Sequence, residues 1–215
     1  MYNIFFLLKT FLRIIYYLFS NEKRYVNLIL LILKNKPKKI LEVGVYNGRR
    51  ALQMIEAAKI FNKDIEYYGF DLFEDLTKNQ LTREESKQPN SMKEIITHLS
   101  KHAKINLFKG YTKNTLKKFL SSNKSKIDFC FIDGGHTIQT IENDYKYCSQ
   151  ISKKNSLIVF DDYYTLNVPN TNKFGSNKIY NYLNKINKRL KLLPFEDTYY
   201  QIDKQKKIKM FYVVN

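Results

Sequence analysis

The run FIDGGH, residues 131–136, ends an apolar stretch on Asp133, passes two glycines and reaches His136. A second run, SLIVFDD over residues 156–162, closes on Asp161 and Asp162. If these are neighbouring strands, three carboxylates stand together and repel one another unless a hard cation shares them. The nearby imidazole is the side chain best suited to exchange a proton close to neutral pH. That chemistry needs elements that bring distant residues to one edge.

From Lys39 onward, short β-rich runs alternate with helical patterns, which predicts βαβ units and a parallel sheet. Strands are expected at 39–44, 65–71, 104–110, 126–133 and 156–162, and 190–195 with 208–214 reads as a final hairpin. Helices are expected at 49–61, 92–102, 114–120, 137–151 and 180–190. Thr82–Glu85 and Ser91–Glu94 each match a helix capping box.

The carboxyl ends of the parallel strands then carry Glu42 and Gly44, Asp71, Gly110, Asp133, and Asp161 with Asp162. Ligands of open α/β sheets bind in the crevice outside those ends. The turn from Gly44 to Gly48 lets backbone amides approach a ligand, and the following helix points its partially positive N-terminus the same way. Asp71 comes about 20 residues after that turn, the spacing at which an acid accepts ribose hydroxyls. Glycines after strand one and an acid after strand two indicate an adenosine-containing cofactor.

Composition bounds the rest. A chain of 215 residues with 44% hydrophobic and 15% aromatic content buries a full core and is not disordered. The net charge of +17 raises a nucleic-acid reading, but lysine is spread along nearly every segment, which favours a solvated surface and makes nucleic acid an unlikely partner. Cys130 and Cys148 have no metal-ligand spacing and read as reduced core thiols of a cytoplasmic protein.

The segment ILEVGVYNG resembles the first motif of class I S-adenosylmethionine-dependent methyltransferases, in the form E-x-G-x-x-x-G. GFDLFE, FKGYTKNTL, FIDGGHTIQTIENDY and IVFDDYY are similar, in order, to successive blocks of the macrocin O-methyltransferase-like branch, whose members methylate hydroxyls of sugars and other metabolites with a divalent metal. The resemblance implies a Rossmann-like α/β fold: a mostly parallel seven-stranded sheet, its last strand antiparallel, with helices on both faces. It implies that Glu42, Gly44, Tyr46 and Gly48 surround the methionine part of S-adenosylmethionine. Asp71 would hold the ribose, Gly110, Tyr111 and Thr112 would lie beside the adenine, and Asp133 would border the same site. The chain departs from the pattern at Arg49 and Arg50, where small hydroxylated residues are frequent.

In that frame Asp133, Asp161 and Asp162 are the expected ligands of Mg²⁺ or another divalent cation, which would lower the pKa of an acceptor hydroxyl. His136, with Asp133 beside it, is the expected catalytic base. The acceptor is expected to be a small molecule, a sugar or a glycolipid. Tyr163, Tyr164 and the polar run to Asn172 are a candidate lid over it. His98 and His102 read as surface residues, and 203–209 as an exposed turn.

Residues 1–37 are expected to be a helical segment ahead of a domain spanning 38–215. Its first 20 residues are strongly apolar, yet Lys9 and Arg13 interrupt them, so no stretch of about 18 to 20 apolar residues spans a bilayer. Residues 1–39 hold eight Lys or Arg against one Glu. The first helix therefore suits an anionic membrane surface, docking on the domain, or a second subunit of a homo-oligomer.

Rival readings follow from the same residues. A nicotinamide-dependent dehydrogenase also wants the glycine turn and Asp71, but not three acids at the ends of strands four and five. An N-methyltransferase or nucleic-acid methyltransferase is nearer, although the usual N/D-P-P-Y run is replaced by DGGH. A non-catalytic membrane module would make the N-terminal segment the functional part.

Overall fold

The computed structural model describes residues 3–84, 86–122, 126–165, 173–201 and 204–215. Two helices lead, α1 (Ile4–Leu18) and α2 (Arg24–Asn35). The alternating part follows as β1 (Lys39–Val43), α3 (Arg49–Ala58), β2 (Glu66–Asp71), α4 (Lys78–Arg83), α5 (Met92–Leu99) and β3 (Lys104–Lys109). After it come α6 (Thr112–Ser122), β4 (Ile127–Ile132), α7 (Ile138–Ile151), β5 (Ser152–Tyr164), α8 (Asn177–Lys185), β6 (Leu190–Gln201) and β7 (Lys204–Val214).

The strands form one sheet in the order β3-β2-β1-β4-β5-β7-β6. β1 pairs in parallel with β2 and β4, β2 with β3, and β4 with β5, whereas β7 runs antiparallel to both β5 and β6. The expected Rossmann-like sheet, mostly parallel with an antiparallel last strand, is present. Strands covered on both faces must be apolar at consecutive positions, which accounts for Ile40-Leu41 and for Phe129 through Ile132. Alternation along them divides the core in two. Ile40, Phe129, Phe131 and Val159 meet Leu28, Ile29 and Ile32 of α2 and Met54 and Ile55 of α3. On the other face Leu41, Cys130, Ile158 and Phe160 meet Leu116 of α6, Ile141 of α7 and Leu183 of α8. Cys130 and Cys148 are both free and buried, in line with reduced core thiols.

α1 joins this body in an unusual way. Its basic stripe faces inward, where Lys9 Nζ and Arg13 Nη2 reach the buried carboxylate of Glu56 on α3 at 2.7 and 2.8 Å. Phe6 and Ile14 lie partly buried beside them while most of the apolar residues face out. The helix thus docks on the domain, one of the three arrangements expected of it. Among the described residues no helix is long and apolar enough to cross a membrane.

Several local expectations are corrected. The Ser91–Glu94 capping box forms, but Thr82 lies inside α4, whose capping box is Thr77 with Gln80 because Thr77 has the extended backbone a cap needs; Glu85 lies outside the described residues. The predicted helix at 180–190 is α8, which starts at Asn177 and stops at Lys185, leaving Leu190 to open β6. Most of the expected turn at 203–209 is instead strand: residues 204–209 belong to β7, where Lys207 and Lys209 pair with Glu196 across the hairpin at 2.6 and 3.4 Å. His98 is exposed on α5 as expected, whereas His102, past the end of that helix, is half-buried with Nδ1 4.0 Å from Glu56.

One core group makes folding sensitive to pH. Glu42 on β1 is fully buried, with Oε2 accepting from the Tyr67 hydroxyl and Oε1 without a partner among the described residues. Burial, only partly offset by that hydrogen bond and by Arg50, pushes its carboxyl up to about 8. Because this acid's folded pKa exceeds its unfolded value, the folded protein keeps a proton that the unfolded chain loses across the window between them. Stability therefore falls as pH rises from about 4.3 to 8, by at most about 1.4 kcal/mol per pH unit for this group. Glu42→Gln removes that term, so urea titrations of the two proteins should show the variant gaining on the wild type as pH rises through this window. A constant difference would mean that Glu42 is ionised in the folded protein.

Candidate active site

The carboxyl ends of the parallel strands open into a cleft of about 350 Å³. Its floor begins at Gly44, where φ is +88° and a Cβ would sit 2.0 Å from the carbonyl oxygen of Asp133. Only glycine lets the turn after β1 pass so close to the turn after β4. The turn is then fastened from β2: Asp71 Oδ2 accepts from the backbone amides of Val45 and Tyr46 at 2.8 and 2.9 Å, and Oδ1 from Phe73 at 3.2 Å. Tyr46 is held at φ +52°, a strained conformation for a non-glycine residue, and its exposed ring lines the cleft.

Gly44, Tyr46, Asp71, Gly110, Tyr111, Thr112, Asp133 and His136 all line this one cleft. The structure thus gathers residues spread over more than ninety positions of sequence, from Gly44 to His136. Two of the expected cofactor residues stand behind it. Gly48, at φ +74°, caps α3 against Ile95, and Glu42 is sealed beneath the floor with Tyr67. Thr112 opens α6 and hydrogen-bonds the buried Asp144, whose carboxyl burial pushes up to about 7.

The expected ligand set is redrawn. Asp133, His136 and Asp162 each offer a donor atom within 4.8 Å of the others. Asp161 does not belong to that group, because the Arg24 Nε of α2 holds it at 2.8 and 3.0 Å. The same guanidinium takes Asp197 of β6 through Nη1 and donates to the Tyr25 hydroxyl through Nη2 at 2.8 Å. Burial opposes the charge on Arg24, but Asp161, Tyr25 and Asp197 more than offset it. The two adjacent acids part because Asp162 adopts φ +56°, which turns its carboxylate into the cleft while Asp161 faces α2.

His136 has both ring nitrogens engaged. Nδ1 donates to the carbonyl of Glu84 at 2.6 Å, and Nε2 lies 3.0 Å from Asp162 Oδ2. Burial pulls its pKa down, but Asp162, Asp133 and the Glu84 carbonyl prevail and bring it to about 10. Asp133 moves in the opposite sense from an ordinary carboxylate: burial and the repulsion of Asp161 and Asp162 push it up, whereas His136 and Arg24 keep Asp162 low despite its burial.

Sequence reasoning did not reach Arg24, Glu84, Glu22 or Tyr199. Arg24 sits at the head of an apolar helix, where nothing marks it as a partner for acids more than 130 positions away. Glu84 also accepts from the Thr137 amide at 3.0 Å, capping α7, so one residue fixes both His136 and the helix behind it. The segment around it, with Leu76, Gln80, Arg83, Lys87 and Pro89, roofs one side of the cleft. Tyr163 and Tyr164, expected as a lid, do neither: Tyr163 packs on Tyr180 at 4.9 Å between centroids, Tyr164 is buried, and residues 166–172 lie outside the described residues.

A sheet in this order, with a glycine turn after its first strand and an acid after its second, is the fold and site of a methyltransferase domain, and the family match bears this out. The chain belongs to the methyltransferase domain family, whose model matches residues 41–163. Among solved structures it is similar to the O-methyltransferase TomG from Streptomyces achromogenes, involved in tomaymycin synthesis, with a TM-score of 0.58 and 12% identity over 87% of this chain and 78% of that one. It is also similar to an O-methyltransferase from Bacillus cereus (TM-score 0.58, 13% identity, 87% and 79% covered). The N-methyltransferase NodS from Bradyrhizobium japonicum gives a TM-score of 0.58 at 10% identity, with 90% and 88% covered. At these identities the likeness is one of fold. No curated protein matches the chain.

Arg24 supplies a direct test of how the site is held. Arg24→Ala leaves Asp161 and Asp197 buried without their countercharge, so chemical denaturation should show a loss of about 3 to 5 kcal/mol. Asp161→Asn combined with Arg24→Ala should recover part of it. A loss no larger than that of an exposed arginine would show the pair to be solvated.

Proposed function

We propose that this chain is an S-adenosylmethionine-dependent O-methyltransferase that acts on a hydroxyl of a small molecule or sugar with the help of a divalent cation, as in the macrocin O-methyltransferase-like branch. The observation that carries the proposal is the cluster of Asp133, His136 and Asp162 on the wall of a cleft whose floor is the glycine turn and Asp71.

The residues fit the cofactor. The turn offers closely approaching backbone, Asp71 faces the cleft, and Glu42 Oε1 is a buried polar atom without a partner among the described residues. Gly44, Tyr46 and the turn up to Gly48 would hold the methionine part, Asp71 the ribose, and Gly110, Tyr111 and Thr112 the adenine. The acidic edge complements a sulfonium cation. S-adenosylmethionine supplies a methyl group that needs alignment rather than activation, so holding the acceptor oxygen in line is the main task of the protein.

The residues also fit a cation. The 3.0 Å between His136 Nε2 and Asp162 Oδ2 is the edge expected between adjacent ligands at about 2.1 Å in an octahedral shell. Nδ1–H donating to Glu84 is the second contact that orients a ligating histidine, because it leaves the lone pair on Nε2. A divalent cation would lower the pKa of an acceptor hydroxyl toward neutrality. This reading moves His136 from general base to ligand, since neither ring nitrogen faces the cleft free while Asp162 holds Nε2. An amine acceptor needs no such cluster, which favours a hydroxyl over the nitrogen acceptor of an N-methyltransferase.

Mn²⁺ titration followed by electron paramagnetic resonance tests the cluster. Asp162→Asn or His136→Ala should weaken binding by more than about tenfold, and affinity should rise with pH because the cation displaces the proton that His136 holds up to about pH 10. Transfer of labelled methyl groups to hydroxyl acceptors should then be lost with EDTA. Tight Mn²⁺ binding in both variants would remove the cluster from the mechanism. For the cofactor, calorimetry with S-adenosylhomocysteine should show Asp71→Ala losing about 1 to 3 kcal/mol. Unchanged affinity in the folded variant would sink the assignment of Asp71.

A further inference from the structure

α1 is amphipathic in the inverted sense. The side turned to the protein carries Lys9, Thr10, Arg13 and the hydroxyl of Tyr17, which binds Arg50 and Gln53 of α3. The side turned outward carries Ile4, Phe5, Leu8, Phe11, Leu12 and Ile15 in one contiguous strip, continued by Phe19. These are large exposures: 62% for Phe5, 58% for Phe11, 56% for Leu12 and 88% for Phe19. A helix that used its apolar side for folding would bury these residues and leave the lysine and arginine in water. Here the buried Glu56 captures both cations and fixes the opposite orientation.

We infer that the outward face of α1 docks the enzyme on an anionic lipid surface. Charge selects this occupant over a second copy of the chain. α1 contains no acidic residue, and although Lys9, Arg13 and Arg24 are taken up by Glu56, Asp161 and Asp197, Lys23, Lys34, Lys36 and Lys38 stay exposed, so two copies placed face to face would add that like charge without a countercharge. Anionic headgroups supply it, with exposed Lys23, Lys34, Lys36 and Lys38 on the same segment to meet them. The helix is too short to span a bilayer, and its continuous apolar strip suits insertion to the depth of the headgroup–acyl boundary. The chain leaving α1 runs through Glu22, Arg24 and Tyr25, which line the cleft, so docking also sets where the cleft stands relative to the lipid. The inference is independent of the acceptor and of the cation.

The test uses the full chain and two vesicle preparations, phosphatidylcholine alone and phosphatidylcholine with phosphatidylglycerol. The protein should co-sediment with the second and not the first, less so as salt is raised. Phe5→Ser, Leu8→Ser and Leu12→Ser together should reduce that binding by more than about tenfold while leaving the circular dichroism spectrum and S-adenosylhomocysteine binding unchanged, because all three side chains are exposed. Lys23→Glu with Lys34→Glu should weaken it through charge alone. Absence of binding to anionic vesicles, or equal binding by the triple-serine variant, overturns the proposal. So does a sedimentation-velocity result in which wild type is a dimer and the triple variant a monomer, which assigns the face to a second copy.

Discussion

The guanidinium of Arg24 lies between Asp161 and Asp197, and the site depends on that contact. Parallel strands ending at one edge bring Asp133, Asp161 and Asp162 into a small volume, and burial together with the repulsion of the other two pushes Asp133 up. Arg24 pairs with Asp161 and keeps it out of the ligand group, which leaves two carboxylates and one imidazole facing the cleft. It also joins three elements remote in sequence: α2, the tip of β5 and the edge strand β6. The start of α2 is therefore part of the construction of the site.

Backbone geometry does the rest of the positioning. Gly44 lets two turns touch, and the left-handed conformations of Tyr46 and Asp162 aim a ring and a carboxylate into the cleft. Such conformations cost of order 1 to 3 kcal/mol each and persist only where the surroundings enforce them. Here the enforcement is visible: Asp71 accepts two amides of the first turn, and Ser176 binds the carbonyl of Asp161 at 2.7 Å and, through its amide, that of Asp162 at 2.9 Å. Asp71 serves in this way as a scaffold for the turn, in addition to facing the cleft.

The net charge of +17 is partitioned by the fold. The cations that matter most for structure are few and buried or half-buried: Arg24 at the site, Arg50 stacked 3.2 Å from the Tyr25 ring centroid and paired with Glu22, and Arg13 on Glu56. The remaining lysines are largely at the surface, where isolated pairs add little stability but the summed field favours anionic partners.

Much of this was legible in the sequence because the signals are local. Apolar runs at strand length, glycines at fixed offsets and acids closing the runs gave the sheet, the turn and the identity of most cleft residues before any coordinates. Parallel strands of one sheet end at the same edge by construction, so Asp71 and Asp133, on either side of β1, had to face one cleft. What the sequence alone could not decide was orientation and long-range pairing. Asp161 and Asp162 are adjacent and alike, and only a positive φ at one of them and an arginine 137 positions away from the other separate their roles. His136 stands out in the sequence as a titratable group, but that Glu84, 52 positions away, takes its Nδ1 and Asp162 its Nε2 is decided by the fold. In α1 the 3.6-residue period is plain, but which side turns inward depends on Glu56, a single buried carboxylate on another helix, and that choice belongs to the tertiary structure.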